Sequence, residues 1–338
     1  MFCKTRTRLF KMSSAPPVKY KGLQNQGATC YLNSVLQVLF MTKEFREKVE
    51  RATSSTARPP LGYPDKADIL AELKSLFDEL EHGDGSVSTR GITNRLHIDN
   101  VYQQQDAVEW FQKILSELGE GVTKDFQGNM QQLLKCSKKG HDVKEDNKFI
   151  SVLLPVGTEN DRVYDVKECL EDFFKSTMLD EDDWMYCDQC DDKTIKDVSC
   201  EIERHPTILA LHIKRFYFDY MRHGFVKNCC RISIPSHVTL QKSEYDLYGV
   251  INHRGGYQGG HYDAYINPPE DGGWYCFDDG RVQRIADDFM KSSETAYLIL
   301  YRKSKQPKNK KRKRKRKKAA SGQKKKRSRR KHRWGKRH

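Results

Sequence analysis

The chain has 338 residues and a mass of 39.4 kDa, room for one large or two modest domains. Its formal charge of +15 is unevenly spread: residues 302–338 hold 23 of the 61 Lys and Arg and no acid, while residues 1–301 carry 38 bases against 46 acids, so a polybasic segment follows an acidic body. A mean hydropathy of −0.82 and the lack of any apolar run near about 18 residues exclude a membrane-spanning helix, and no membrane partner is expected.

The opening MFCKTRTRLFKM lacks the apolar stretch of a cleaved secretory signal. The ten cysteines stand singly or in close pairs, as expected of thiols in a reducing, intracellular compartment. Residues 1–19 are basic and Pro-containing and read as a flexible leader, with the folded domain over residues 20–303. From Thr29, a plausible N-cap, the run TCYLNSVLQVLF is apolar around most of a helix, so that helix is buried. After a Ser/Thr/Pro/Gly loop from Thr53 to Pro64, ADILAELKSLFDEL sets Ile69, Leu70, Leu73, Leu76, Phe77 and Leu80 at helical spacing. A further amphipathic helix runs from Asp106 to Leu118.

Beyond Lys124 the texture changes to short apolar runs between turn residues: KFISVLLPV, TILALHIKRFYF, RISIP, YDLYGVINH, HYDAYIN, WYCFDD and TAYLILYR read as strands. Helices first and mostly antiparallel strands later predict an α+β domain with a cleft between a helical and a sheet part. Residues 304–338, which cannot bury apolar area, form a disordered basic tail in this reading.

Cys30 opens the buried helix, where free backbone N–H groups and the helix dipole favour a thiolate. A buried structural cysteine is the plainer alternative for Cys30 taken alone. In GGYQGGHYDAYINPPEDGGWYCFDDG, a hairpin centred between Pro269 and Glu270 sets His261 opposite Asp278, whose carboxylate would orient the imidazole. His253 is the nearest rival histidine and has no acid at an opposed position. Gly255, Gly256, Gly259 and Gly260 make a loop able to lie close to a peptide backbone. Asn25, five residues ahead of Cys30, is a candidate donor to an oxyanion, although an Asn in a turn is the commoner case.

GLQNQGATCYLNSVLQ (Gly22 to Gln37) resembles the cysteine box of the ubiquitin-specific proteases, and YGVINHRGGYQGGHYDAYI with WYCFDD is similar to their histidine box. QQQDAVEWFQKIL resembles the glutamine-aspartate box between them, and LALHIKRFYFDY the family's central strand. The resemblance implies a papain-like cysteine protease fold with a helical thumb and an antiparallel palm and fingers sheet. It further implies hydrolysis of the isopeptide bond after the terminal glycine of ubiquitin. The implied roles are Cys30 as nucleophile, His261 as general base and acid, Asp278 as orienter, Asn25 as oxyanion donor and Asp279 as an accessory acid. Asp106 and Tyr262 would grip the ubiquitin tail, whose two arginines suit a body with 34 bases against 46 acids over residues 12–301. Ubiquitin and ubiquitinated proteins are the implied partners, and the reaction requires no cofactor. A ubiquitin-binding scaffold without turnover, or a nucleic-acid tether acting through the tail, are the competing functions.

The family's fingers often hold zinc on two C-x-x-C knuckles. Here Cys187 and Cys190 form the second, but the first reads CSKKGH, with Lys139 in place of a cysteine and His141 as a substitute. No metal ligand is assigned on that basis; zinc on Cys136, His141, Cys187 and Cys190 and a relic knuckle held by packing both stay open. The tail's KKRKRKRKK reads as a nuclear import signal with importin contact, or as a nonspecific clamp on RNA or DNA phosphates. Nucleus or nucleolus is the expected residence, with cytoplasm the alternative.

Overall fold

A computed structural model describes residues 19–304 except 55–63, 139, 158, 160, 161 and 271. The expected leader up to Val18 and the expected disordered tail from Lys305 lie outside the described residues. The helix Cys30–Met41 is buried at all twelve positions, the consequence of an apolar surface that runs almost the whole way round it. Around it stand the helices Lys43–Ser54, Pro64–His82, Arg90–Arg95 and Ala107–Leu118. Phe40, Phe45, Phe77, Phe111 and Phe126 join these helices, Arg90–Arg95 apart, through a chain of tilted and edge-on rings. No described helix is long and apolar enough to cross a membrane.

Among the described residues the larger sheet has eight strands, and its centre is Ser243–Gly255 between Gly260–Ile266 and Ala296–Lys303. The inner side of this palm, with Ile251, Tyr262, Ala264 and Phe277, packs against the Cys30 helix. Most pairings are antiparallel, as expected, but Ser151–Leu154 runs parallel to Ile208–Ile213, and Arg231–Ser233 parallel to Val163–Asp165. The run KFISVLLPV is split between two sheets: Val143–Phe149 pairs in the fingers and Ser151–Leu154 in the palm.

The fingers sheet is built on Gly128–Cys136 and Asp192–Arg204. These strands are half-exposed and rich in Gln, Lys, Asp and Glu, so they carry no apolar run by which sequence alone marks them. The α+β class with thumb, palm and fingers holds.

Candidate active site

Two anchors set the loop ahead of Cys30. The Leu23 N–H donates to the Asp279 carbonyl at 2.8 Å, and Gly22 and Gln24 exchange backbone hydrogen bonds with Val87 at 2.9 and 2.8 Å. A Cβ at Gly22 would run into the backbone of Asp279 and Gly280, so only glycine allows this approach. Thr29 occupies the N-cap position but makes no side-chain cap. Its hydroxyl accepts from the Gln26 N–H at 3.0 Å and donates to Asn25 Oδ1 at 3.3 Å, which stiffens the loop instead.

Cys30 is 2% exposed, and its Sγ receives the Tyr262 N–H at 3.5 Å. The strand bearing His261 therefore passes directly over the sulfur, since His261 and Tyr262 share a peptide bond. Burial pushes the Cys30 thiol above its ordinary range; the Tyr262 N–H opposes this and the Asp279 charge adds to it. Burial thus works against the helix terminus, which favours the anion. His261 Nε2 lies 2.6 Å from Asp278 Oδ1, so the carboxylate fixes the imidazole with hydrogen on Nε2 and leaves Nδ1 to take a proton.

The hairpin register differs from the expected one. Ile266 pairs with Tyr275 and Ala264 with Phe277, which sets the turn one residue further along, where Gly272 takes φ +65°. His261 and Asp278 then meet on a diagonal rather than as opposed partners. The pair survives because the slip is two residues, which keeps both side chains on the same face. The rival His253 points to the other face, is 3% exposed and packs on Phe216, Tyr262 and Tyr297. Burial, reinforced by Lys227, lowers its pKa to about 4, so it stays neutral near pH 7.

Asn25 Oδ1 accepts from the Gly27 and Thr29 N–H groups at 2.8 and 3.1 Å, which turns its Nδ2 toward Asp279 Oδ2 at 2.9 Å. One N–H of that amide is thereby used and the other is left for a ligand. Asp279 also accepts from Asn33 Nδ2 at 2.8 Å. Sequence reading passed over Asn33, yet an Asn inside an otherwise apolar buried helix is a signal, since a buried amide requires a partner. Gln37, one turn on, likewise donates to the Lys21 carbonyl at 2.9 Å.

Asp106 is the N-cap of the Ala107–Leu118 helix: Oδ1 accepts from the Val108 and Glu109 N–H groups at 2.7 and 3.0 Å, and Oδ2 from the Tyr297 hydroxyl. Tyr262 is buried beside it, with a phenol pushed far up by burial and next by the Asp106 charge. The two residues expected to grip a tail thus lie together, each with partners inside the protein.

In the fingers, Cys136, His141, Cys187 and Cys190 bring their ligand atoms within 4.8 Å of one another. Cys190 Sγ is 3.4 Å from Cys136 Sγ and 3.1 Å from His141 Nδ1, and the Lys138 N–H points at Cys136 Sγ. Three thiols and an imidazole in this arrangement fit tetrahedral zinc, with His141 taking the place the sequence leaves vacant at Lys139. Purified protein is expected to carry about one zinc per chain, and Cys187→Ser to lose it; a stoichiometry near zero in the unaltered chain would reject the site.

A family model for ubiquitin carboxyl-terminal hydrolase matches residues 21–301. Ubiquitin C-terminal hydrolase 13 of Arabidopsis thaliana is 29% identical over 305 residues, covering 82% of this chain and 26% of that protein. Ubiquitin carboxyl-terminal hydrolase 15 of Schizosaccharomyces pombe is 32% identical over 295 residues, with 78% and 24% covered. The chain thus spans about a quarter of the length of these curated relatives. Among solved structures, the SAGA Ubp8/Sgf11/Sus1/Sgf73 DUB module bound to ubiquitin aldehyde matches with a TM-score of 0.70 at 22% identity, over 85% of this chain and 70% of that one.

Proposed function

This chain belongs to the ubiquitin carboxyl-terminal hydrolase family, and on that premise we propose that it is a thiol-dependent deubiquitinase. The observation that carries the reading is a single strand that serves both groups: its Tyr262 N–H reaches Cys30 Sγ, and its His261 ring is held by Asp278 at 2.6 Å.

In the proposed reaction His261 Nδ1 takes the Cys30 proton and the sulfur attacks the carbonyl of the terminal glycine. The oxyanion is met by the free N–H of Asn25 and the Cys30 backbone N–H. Protonated His261 gives its proton to the departing lysine amine, leaving a thioester, and water activated by the same imidazole hydrolyses it. Asp278 stabilises the imidazolium through both steps. Asp106 and Tyr262 stand beside this centre, and with an acidic body they would draw in a cationic substrate tail. Release of a fluorophore from a ubiquitin C-terminal amide by the purified chain tests the activity; no release above the enzyme-free control would refute it.

The polybasic segment adds an address. Its 23 Lys and Arg over residues 302–338, with Trp334 its only aromatic, suit importin or unspecific phosphate contact better than base recognition. Nuclear or nucleolar residence follows. A tagged chain lacking residues 305–338 is expected to spread into the cytoplasm, and an unchanged distribution would count against it.

A further inference from the structure

The strand Gly260–Ile266 pairs along its length with Ser243–Gly255 on one side, but on the other its ladder covers only Ala264 to Ile266. From Gly260 to Asp263 this second edge carries no strand among the described residues. Alternate N–H groups on it point into the cleft. The Tyr262 N–H reaches Cys30 Sγ, and the Gly260 N–H reaches Gln104 Oε1 at 2.5 Å. Gln104 Nε2 in turn donates to the Gly260 carbonyl. One side-chain amide therefore meets both backbone groups of one residue, as an added strand would.

Gln104 is exposed and sits in the loop ahead of the Ala107–Leu118 helix, across the cleft from the glycine loop. The far end of that loop is held separately, by Tyr257 stacked on Phe225 with centroids 4.6 Å apart. At Gly260 itself a Cβ would strike the His253 ring, so only glycine fits beside that buried imidazole.

We propose that Gln104 is a latch across the substrate channel: its amide occupies the strand edge that an extended substrate end must pair with on its way to Cys30. This rests on the deubiquitinase reading. Latched protein and substrate-paired protein exclude one another at Gly260, so apparent affinity is lowered by the fraction that is unlatched. The two hydrogen bonds are exposed and of modest net strength, which suits a contact that a peptide backbone, supplying the same pair, can displace.

The competing role is positional, with Gln104 holding the glycine loop so that His261 is aligned. The two roles separate in steady-state kinetics of the full chain on a ubiquitin C-terminal fluorophore amide. Gln104→Met, which keeps the bulk and removes both hydrogen bonds, is expected to lower KM by about fivefold. Gln104→Ala should shift KM the same way and serves if the Met variant does not fold. Alkylation of Cys30 by iodoacetamide, which uses no strand edge, should proceed equally in variant and wild type. A KM that is unchanged or raised, or a fall confined to kcat, would overturn the latch while wild-type turnover leaves the activity standing. A wild-type chain without turnover would remove the activity and the latch together.

Discussion

Cys30→Ala is expected to bring hydrolysis of a ubiquitin amide down to the enzyme-free rate, and His261→Ala to lower kcat by about 10⁴-fold. The size of the second effect follows from the first residue's surroundings. Cys30 sits at a helix N-terminus, which favours the anion, while burial pushes its thiol above the ordinary range. The proposed nucleophile works with a base, and His261 is the histidine that a carboxylate orients on the strand whose Tyr262 N–H reaches the sulfur.

The sign of the pH response follows as well. Without the imidazole, only the fraction of Cys30 already ionised can react. Residual activity of His261→Ala should therefore rise with pH through and beyond the ordinary thiol range of about 8.5. Initial rates from pH 6 to 10 measure this, and a residual rate independent of pH would mean that the histidine does not serve the thiol.

Asp279→Ala is expected to lower kcat by about 10²-fold, with a much smaller change in KM. In the proposed reaction Asp279 serves as a positioning residue. Its carboxylate holds Asn25 from one oxygen and Asn33 from the other, while its own carbonyl takes the Leu23 N–H, so it ties the oxyanion loop to the Cys30 helix. Removing the carboxylate frees the Asn25 amide to rotate away from the oxyanion and leaves the buried Asn33 with only weaker contacts to the Leu23 and Gln24 carbonyls, at 3.5 and 3.3 Å.

The backbone at Asp279 has φ +47°, which Ala tolerates poorly. Asp279→Asn, which tolerates that conformation and retains one acceptor, is the control, with an expected loss of about tenfold. If both variants lose stability to urea but keep kcat, the residue serves the fold alone and the oxyanion role of Asn25 loses its support.

What could be read from the chain follows a physical division. Cys30 stood out only together with the motif around it, since a cysteine in a buried helix is by itself more plainly structural, whereas the pairing of His261 with Asp278 was legible because strand alternation fixes faces even when the register is off by two. Contacts between polar groups far apart in sequence were not legible. Gln104 with Gly260 and Asn33 with Asp279 are separated by 156 and 246 residues, and no local periodicity encodes them.

The fingers escaped for a related reason. The strands Gly128–Cys136 and Asp192–Arg204 gain their order from pairing with each other, with Met130 opposite Ile202 and Leu134 opposite Val198, rather than from an apolar face of their own. The helix Lys43–Ser54 was also missed, since only Phe45 and Val49 are buried on it.

The most direct test of the central claim uses ubiquitin carrying an alkyne in place of its C-terminal carboxylate, to which a thiol adds with no leaving group. Incubated with the full chain and digested for mass spectrometry, it should give one adduct, on the peptide containing Cys30, and none with Cys30→Ala. Labelling at any other cysteine, or none in the unaltered chain, would contradict a nucleophile at the head of the buried helix.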